Sequence, residues 1–172
     1  MRTFALVAVA GLAGCEVEID PDFCSDDLAG GSPAGPDCLT GTIDCGDTIS
    51  STTKGGSQHF GSEHYENFYC LVPHDDYSSP ERVYEIELSA DTLATFELYS
   101  PCGDLDLIVL RWEEDSECPS TDQLITECES DVSDGSGDTL VWTDRDSRYL
   151  VIVDGETSVK KKFEISVTCE SE

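Results

Sequence analysis

From about Leu39 onward, apolar and polar residues alternate with a period of two. Tyr84, Ile86 and Leu88 are separated by Glu85 and Glu87, and Ala94, Phe96 and Leu98 by Thr95 and Glu97. Phe163, Ile165 and Val167 alternate with Glu164, Ser166 and Thr168. Successive side chains of a strand point to opposite faces, so these segments are predicted to be half-buried strands with one wet face. The runs Leu105–Leu110 and Tyr149–Val153 are apolar on both faces and predict central strands, covered on both sides. Shorter strands are expected at Gly41–Asp44, Thr48–Thr52, Glu66–Val72 and Thr139–Thr143. Turn residues separate the segments at Asp75-Asp76, Ser89–Asp91, Pro101–Asp104, Asp134–Gly137 and Asp154-Gly155. Helical periodicity is not sustained anywhere. Eight or so short strands at this spacing predict an all-β fold, a jelly-roll-like antiparallel β-sandwich.

The start of the chain follows a different rule. Met1-Arg2-Thr3 carries one positive charge, Phe4 to Leu12 is apolar, and Leu12-Ala13-Gly14-Cys15 follows. A basic start, a short apolar run and small residues describe a secretory signal, and the run is too short to span a bilayer. Its ending resembles the bacterial lipobox, which implies cleavage before Cys15, a diacylglycerol thioether on that cysteine and acylation of the new amino group. Several acyl chains anchor a protein stably where one does not. Glu16 stands where an inner-membrane retention signal would have Asp, which favours the outer membrane. Residues 1–14 are therefore read as signal peptide, 15–37 as a flexible acidic tether behind lipidated Cys15, and 38–172 as a single domain. The Gly30–Pro36 stretch of Gly, Ser, Pro and Ala is too poor in apolar surface to order itself.

Eight of the nine cysteines remain after Cys15: Cys24, Cys38, Cys45, Cys70, Cys102, Cys118, Cys128 and Cys169. An even number in an exported chain reads as a disulfide framework, since the compartment is oxidising. Eight cysteines allow 105 pairings. Proximity in sequence suggests Cys118 with Cys128 and Cys24 with Cys38; Cys45 with Cys70 and Cys102 with Cys169 are further guesses. None of these cysteines stand two to four residues apart, as structural zinc sites require.

Charge narrows the partners. With 37 acidic and 9 basic residues the net charge is −28. Such a surface repels phosphate backbones, which excludes nucleic acid. Contact with a membrane is expected only through the lipid, and the partner is expected to be an envelope polysaccharide or protein.

Candidate chemistry is sparse. Asp104 and Asp106, two apart on a strand, point to the same side and could share calcium with further donors such as Asp154 near other strand ends. The simpler reading makes them turn caps and acceptors of backbone N–H groups. No Gly-x-Ser-x-Gly elbow occurs, and His59, His64 and His74 are read as solvated surface. Trp112 and Trp142 are expected to fill the sandwich. Lys160-Lys161-Lys162 is expected to mark a hairpin and guard an edge strand.

Residues 65–169 resemble the bacterial pre-peptidase C-terminal domain. The resemblance lies in Tyr84–Leu88 with Leu93–Leu98, in Asp104–Leu110, in Arg148–Gly155 with its aromatic and valine-rich strand ending in Gly, and in Phe163–Val167. Cys45–Ile49 and Tyr69-Cys70 look like segments of cysteine-rich Gram-negative lipoproteins that carry such a domain alone. The resemblance implies a small jelly-roll sandwich and an association with secreted proteases; the many cysteines and the lack of a peptidase depart from it. The chain is accordingly expected to be a non-catalytic envelope lipoprotein, a surface binding or structural module with possible calcium stabilisation. The rival expectation is a secreted hydrolase accessory or carbohydrate-binding module.

Overall fold

The computed structural model describes Cys24 and residues 38–71, 77–113, 118–131, 136–156 and 160–171. Signal, lipidation site and most of the tether lie outside these residues, as does His74. Nine strands and one helical turn follow in order: β1 (Leu39–Thr42), β2 (Thr48–Thr52), α1 (Ser62–Tyr65), β3 (Arg82–Leu88), β4 (Thr92–Tyr99), β5 (Asp106–Arg111), β6 (Cys128–Asp131), β7 (Ser136–Thr143), β8 (Ser147–Asp154) and β9 (Lys162–Ser171). They form a five-stranded sheet, β1-β3-β8-β5-β6, facing a four-stranded sheet, β2-β9-β4-β7. All pairings are antiparallel except β1 beside β3. The chain is the all-β sandwich its alternation predicts.

The period-two pattern fills the space between the sheets. Ile86, Phe96, Leu107, Val109, Val151 and Ile165 meet there with their strand neighbours, all essentially excluded from water. The opposite parity of β5 and β8 packs elsewhere. Ile108, Leu110, Leu150 and Ile152 lie under a cap built from residues 57–71 and 77–81, whose Phe60, Tyr65, Phe68 and Tyr77 form a second apolar layer. This explains why these two strands are apolar on both faces, and every residue of β8 is buried. Gly56 lets the cap begin. A side chain there would meet the Glu81 carbonyl oxygen at 2.1 Å, and Ser57 and Glu81 pair as an isolated antiparallel bridge beside it.

Several expectations are corrected. Glu66–Val72 is not a strand: α1 and the turns after it occupy Ser62–Leu71, and the cap uses their aromatic side chains as packing. β6, rich in polar residues, has too little alternation to be read from sequence. Lys162 opens β9, which lies between β2 and β4, so the lysine cluster guards no edge. His64 is buried and His59 half-buried, their ring centroids 4.9 Å apart, rather than solvated. Trp142 is 47% exposed, and Trp112 packs against the cap layer, so neither fills the space between the sheets.

All eight cysteines are joined, but in other pairs than proximity suggests. The bonds are Cys24–Cys102, Cys38–Cys118, Cys45–Cys169 and Cys70–Cys128, spanning 78, 80, 124 and 58 residues. Cys118 bonds Cys38 instead of Cys128, and Cys45 bonds Cys169 instead of Cys70. Cys102 bonds Cys24, which excludes both the Cys24–Cys38 and the Cys102–Cys169 pairs. The reason is topological: folding brings loops and turns distant in sequence together, and only Cys128 and Cys169 lie within strands, each bonded to a cysteine outside them.

Candidate functional site

The predicted carboxylates separate. Asp104 is exposed in the turn before β5. Asp106 and Asp154 are direct cross-strand partners of β5 and β8 and are buried beneath the cap. The Tyr77 hydroxyl donates to Asp106 Oδ2 at 2.6 Å, and the Tyr65 hydroxyl donates to Asp154 Oδ2 at 2.6 Å. Gly155 N–H donates to Asp154 Oδ1 at 2.7 Å. The two tyrosine rings meet edge-on, 4.6 Å between centroids. Glu81, which sequence reasoning did not single out, lies fully buried in the same layer. Its Oε1 accepts from Ser57 Oγ, His59 N and Phe60 N, while Oε2 has no hydrogen-bond partner. Among the described residues, no three His, Cys, Asp or Glu side chains are grouped to hold a metal ion.

This cluster latches the cap to the sheet. Burial pushes the Asp154 carboxyl up to about 8, and the nearby Glu81 and Asp106 carboxyls push in the same direction. Hydrogen bonds from Tyr65 and Gly155 oppose the rise because they favour the charged form. Burial, followed by the Asp154 carboxyl, raises Tyr65 well above the ordinary phenol value. A protonated Asp154 carboxyl and a neutral Tyr65 phenol are thus the resting species of this pair at mildly acidic pH. The cluster is structural in its chemistry: it stores a proton and presents no open cleft. Substituting Tyr65 by Phe keeps the ring and removes the donor to Asp154, so a loss of about 1–3 kcal/mol is expected from the unsatisfied buried carboxyl. Urea denaturation that left the midpoint unchanged would show that the latch contributes nothing.

The open surface lies on the other sheet. Alternation in β4, β7 and β9 turns Leu93, Thr95, Glu97 and Tyr99, then Asp138, Leu140 and Trp142, then Glu164, Ser166, Thr168 and Glu170 away from the core. Register sets these in rows across the sheet. Trp142 faces Leu93, Leu140 faces Thr95, Asp138 faces Glu97, and Tyr99 faces Glu164. Trp142, Leu140 and Leu93 therefore adjoin at one end of the face, with Glu170 beside Leu93, and carboxylates dominate the other end. Trp142 and Leu140 are 47% and 51% exposed. At the acidic end, a groove of about 420 Å³ is lined by Glu97, Tyr99, Asp138, Glu164 and Ser166 among others. Hydroxyl groups hold two of these carboxylates in place: Ser166 Oγ donates to Glu97 Oε2 at 3.2 Å, and Ser50 Oγ donates to Glu164 Oε2 at 3.0 Å. The sequence reading places Trp142 in the core and so does not assemble this site. The available signal was parity, since Val141, between Leu140 and Trp142, is the residue that points inward.

No known family and no curated protein matches the sequence. Among solved structures, the chain is similar to PliG of Aeromonas hydrophila, a periplasmic inhibitor of g-type lysozyme, at 11% identity and a TM-score of 0.43, over 75% of this chain and 96% of that one. It is similar to the pre-peptidase C-terminal domain of collagenase from Bacillus anthracis at 11% identity and a TM-score of 0.43, over 78% and 100% of the two chains. The third is CorA, a surface-associated copper-binding protein of Methylomicrobium album BG8, at 7% identity and a TM-score of 0.45, over 76% and 98%.

Proposed function

We propose that this chain is an extracytoplasmic, non-catalytic binding module, held at a membrane by lipid on Cys15, whose working surface is the open face of the four-stranded sheet. The observation that carries the reading is the exposure of Trp142 and Leu140 on the same sheet face as an acidic groove. Four disulfides support an oxidising compartment outside the cytoplasm. The Tyr65–Asp154 and Tyr77–Asp106 pairs lie buried beneath the cap on the other sheet.

The bond Cys24–Cys102 also limits the tether. From Cys15 to Cys24 is nine residues, which reach at most about 30 Å when fully extended. Cys102 lies in the turn that follows β4, so an anchored domain would carry the acidic end of its open face toward the membrane and the Trp142 end away from it.

Two measurements test the reading. Cells grown with radioactive palmitate are expected to label the chain, and Cys15→Ser is expected to abolish that label; an unlabelled wild type would remove the anchor. Purified oxidised protein is expected to be retained on either immobilised envelope polysaccharide or envelope protein, with retention lost on Trp142→Ala. Retention unaffected by that substitution, or turnover in a broad hydrolase screen, would overturn the binding face.

A further inference from the structure

Resting on that reading, we infer that the open face of the four-stranded sheet docks an extended polypeptide carrying a block of basic side chains beside a block of apolar ones.

Three observations specify the occupant. The first is an unfavourable pair. Glu97 and Asp138 stand directly opposite each other on β4 and β7, an arrangement of like charges that weakens a sheet. Among the described residues of this face the only basic side chain is Lys162, two positions before Glu164 on β9, against at least four carboxylates. A guanidinium or ammonium group seated in the groove would relieve the repulsion, and the Tyr99 ring beside it offers a cation its face. Glu97 and Glu164 accept only hydroxyl donors in the hydrogen bonds described here, so each carboxylate retains acceptor capacity toward a partner.

The second observation is the apolar end. Trp142, Leu140 and half-buried Leu93 adjoin across β7 and β4. Apolar side chains in contact on a solvated face are a site for another apolar surface. The third is spacing. Asp138, Leu140 and Trp142 succeed one another at two-residue steps along one strand, so the acidic and apolar ends lie about 13 Å apart. An extended peptide running along the strands repeats the same distance in four residues. It would set basic side chains over Glu97 and Asp138 and apolar ones over Leu140 and Trp142. The chain's net charge of −28 adds long-range attraction for a cationic partner but no register; the register comes from the rows.

The test uses the oxidised domain and two fluorescent peptides of identical composition. In one, two arginines and two large apolar residues alternate with serine and form separate blocks. In the other, the same residues are interleaved so that no block exists. The blocked peptide is expected to bind at least tenfold more tightly at moderate salt. Trp142→Ala and the pair Glu97→Gln with Asp138→Asn are each expected to weaken it at least tenfold, whereas Glu66→Gln on the cap leaves it unchanged. The Glu97→Gln and Asp138→Asn variant is further expected to melt at a higher temperature than the wild type, because the opposed charges are gone; loss of binding in a more stable protein cannot be ascribed to unfolding. Equal binding of the two peptides, or equal loss with Glu66→Gln, would overturn the inference in favour of unspecific attraction. Retention of polysaccharide that depends on Trp142, with no peptide binding, would overturn the polypeptide partner while leaving the binding face intact. Failure of both would remove the face itself.

Discussion

Replacing Cys45 and Cys169 together by serine is expected to destabilise the domain by about 4–5 kcal/mol. The bond closes a span of 124 residues, nearly the whole domain. Chain entropy of the unfolded state falls with the logarithm of the loop closed, and a loop of this order corresponds to about 4.7 kcal/mol. A domain of ordinary stability has only about 5–15 kcal/mol in total. The local structure shows why the tether is needed there. β2 pairs with β9 and with no other strand, so it has one neighbour to hold it. Just before Thr48, the chain is kept on β9 by two backbone bonds, Gly46 N–H to Val167 O at 2.8 Å and Val167 N–H to Asp47 O at 3.0 Å. Cys45 is exposed and Cys169 half-buried, so serine costs little in packing. Urea denaturation of the double variant beside the wild type measures the difference. An unchanged midpoint, or a peptide map of the native protein that joins Cys45 to Cys70, would defeat the prediction.

Stability is also expected to rise as the solution is acidified from about pH 8 toward pH 4, and Asp154→Asn is expected to abolish most of that rise. Asp154 has its folded carboxyl at about 8 against an ordinary 3.8. In this interval the folded state holds a proton that the unfolded state releases, so stability falls with rising pH. The contribution is fully present below the unfolded value and lost as pH rises through the folded one. One pH unit corresponds to about 1.4 kcal/mol, which sets a ceiling on the order of 5 kcal/mol across the interval. The dense negative surface, relieved by protonation, changes stability in the same direction. Asparagine keeps the shape and an acceptor for the Tyr65 hydroxyl while removing the titration. Denaturant midpoints from about pH 5 to about pH 8 decide the matter. A wild-type slope no steeper than that of the variant would show that Asp154 stays ionised beneath the cap.

Legibility of this chain divides by the kind of interaction involved. β3, β4, β5, β8 and β9 were readable because each buries one face or both, and burial writes its period into the sequence. The two-sided burial of β5 and β8 was readable too, although its cause, an aromatic cap on the outer side, was not. The cap residues Phe60, Tyr65, Phe68 and Tyr77 follow no strand period, so a segment containing Tyr69 and Leu71 was taken for a strand. β6 failed for the opposite reason: Cys128-Glu129-Ser130-Asp131 buries little and is held by its neighbour β5 and by the Cys70 bridge.

The site residues show the same division. Asp106 and Asp154 were singled out as carboxylates near strand ends, and the structure does place them side by side. The two-residue step from Asp104 to Asp106 did not decide their environment, because Asp106 enters the strand beneath the cap while Asp104 stays in the exposed turn. Tyr65, Tyr77 and Glu81 complete the layer from the cap, distant in sequence, and no local spacing could announce them.

Sequence by itself determined that this is an acidic, disulfide-bearing sandwich of short strands, because alternation, charge and cysteine number are properties of composition and of neighbours along the chain. Only the tertiary structure decided which cysteines meet, which carboxylates lose water and which tryptophan remains outside. Those outcomes depend on strand order and on what covers each face, and both are set by packing between segments far apart in the chain.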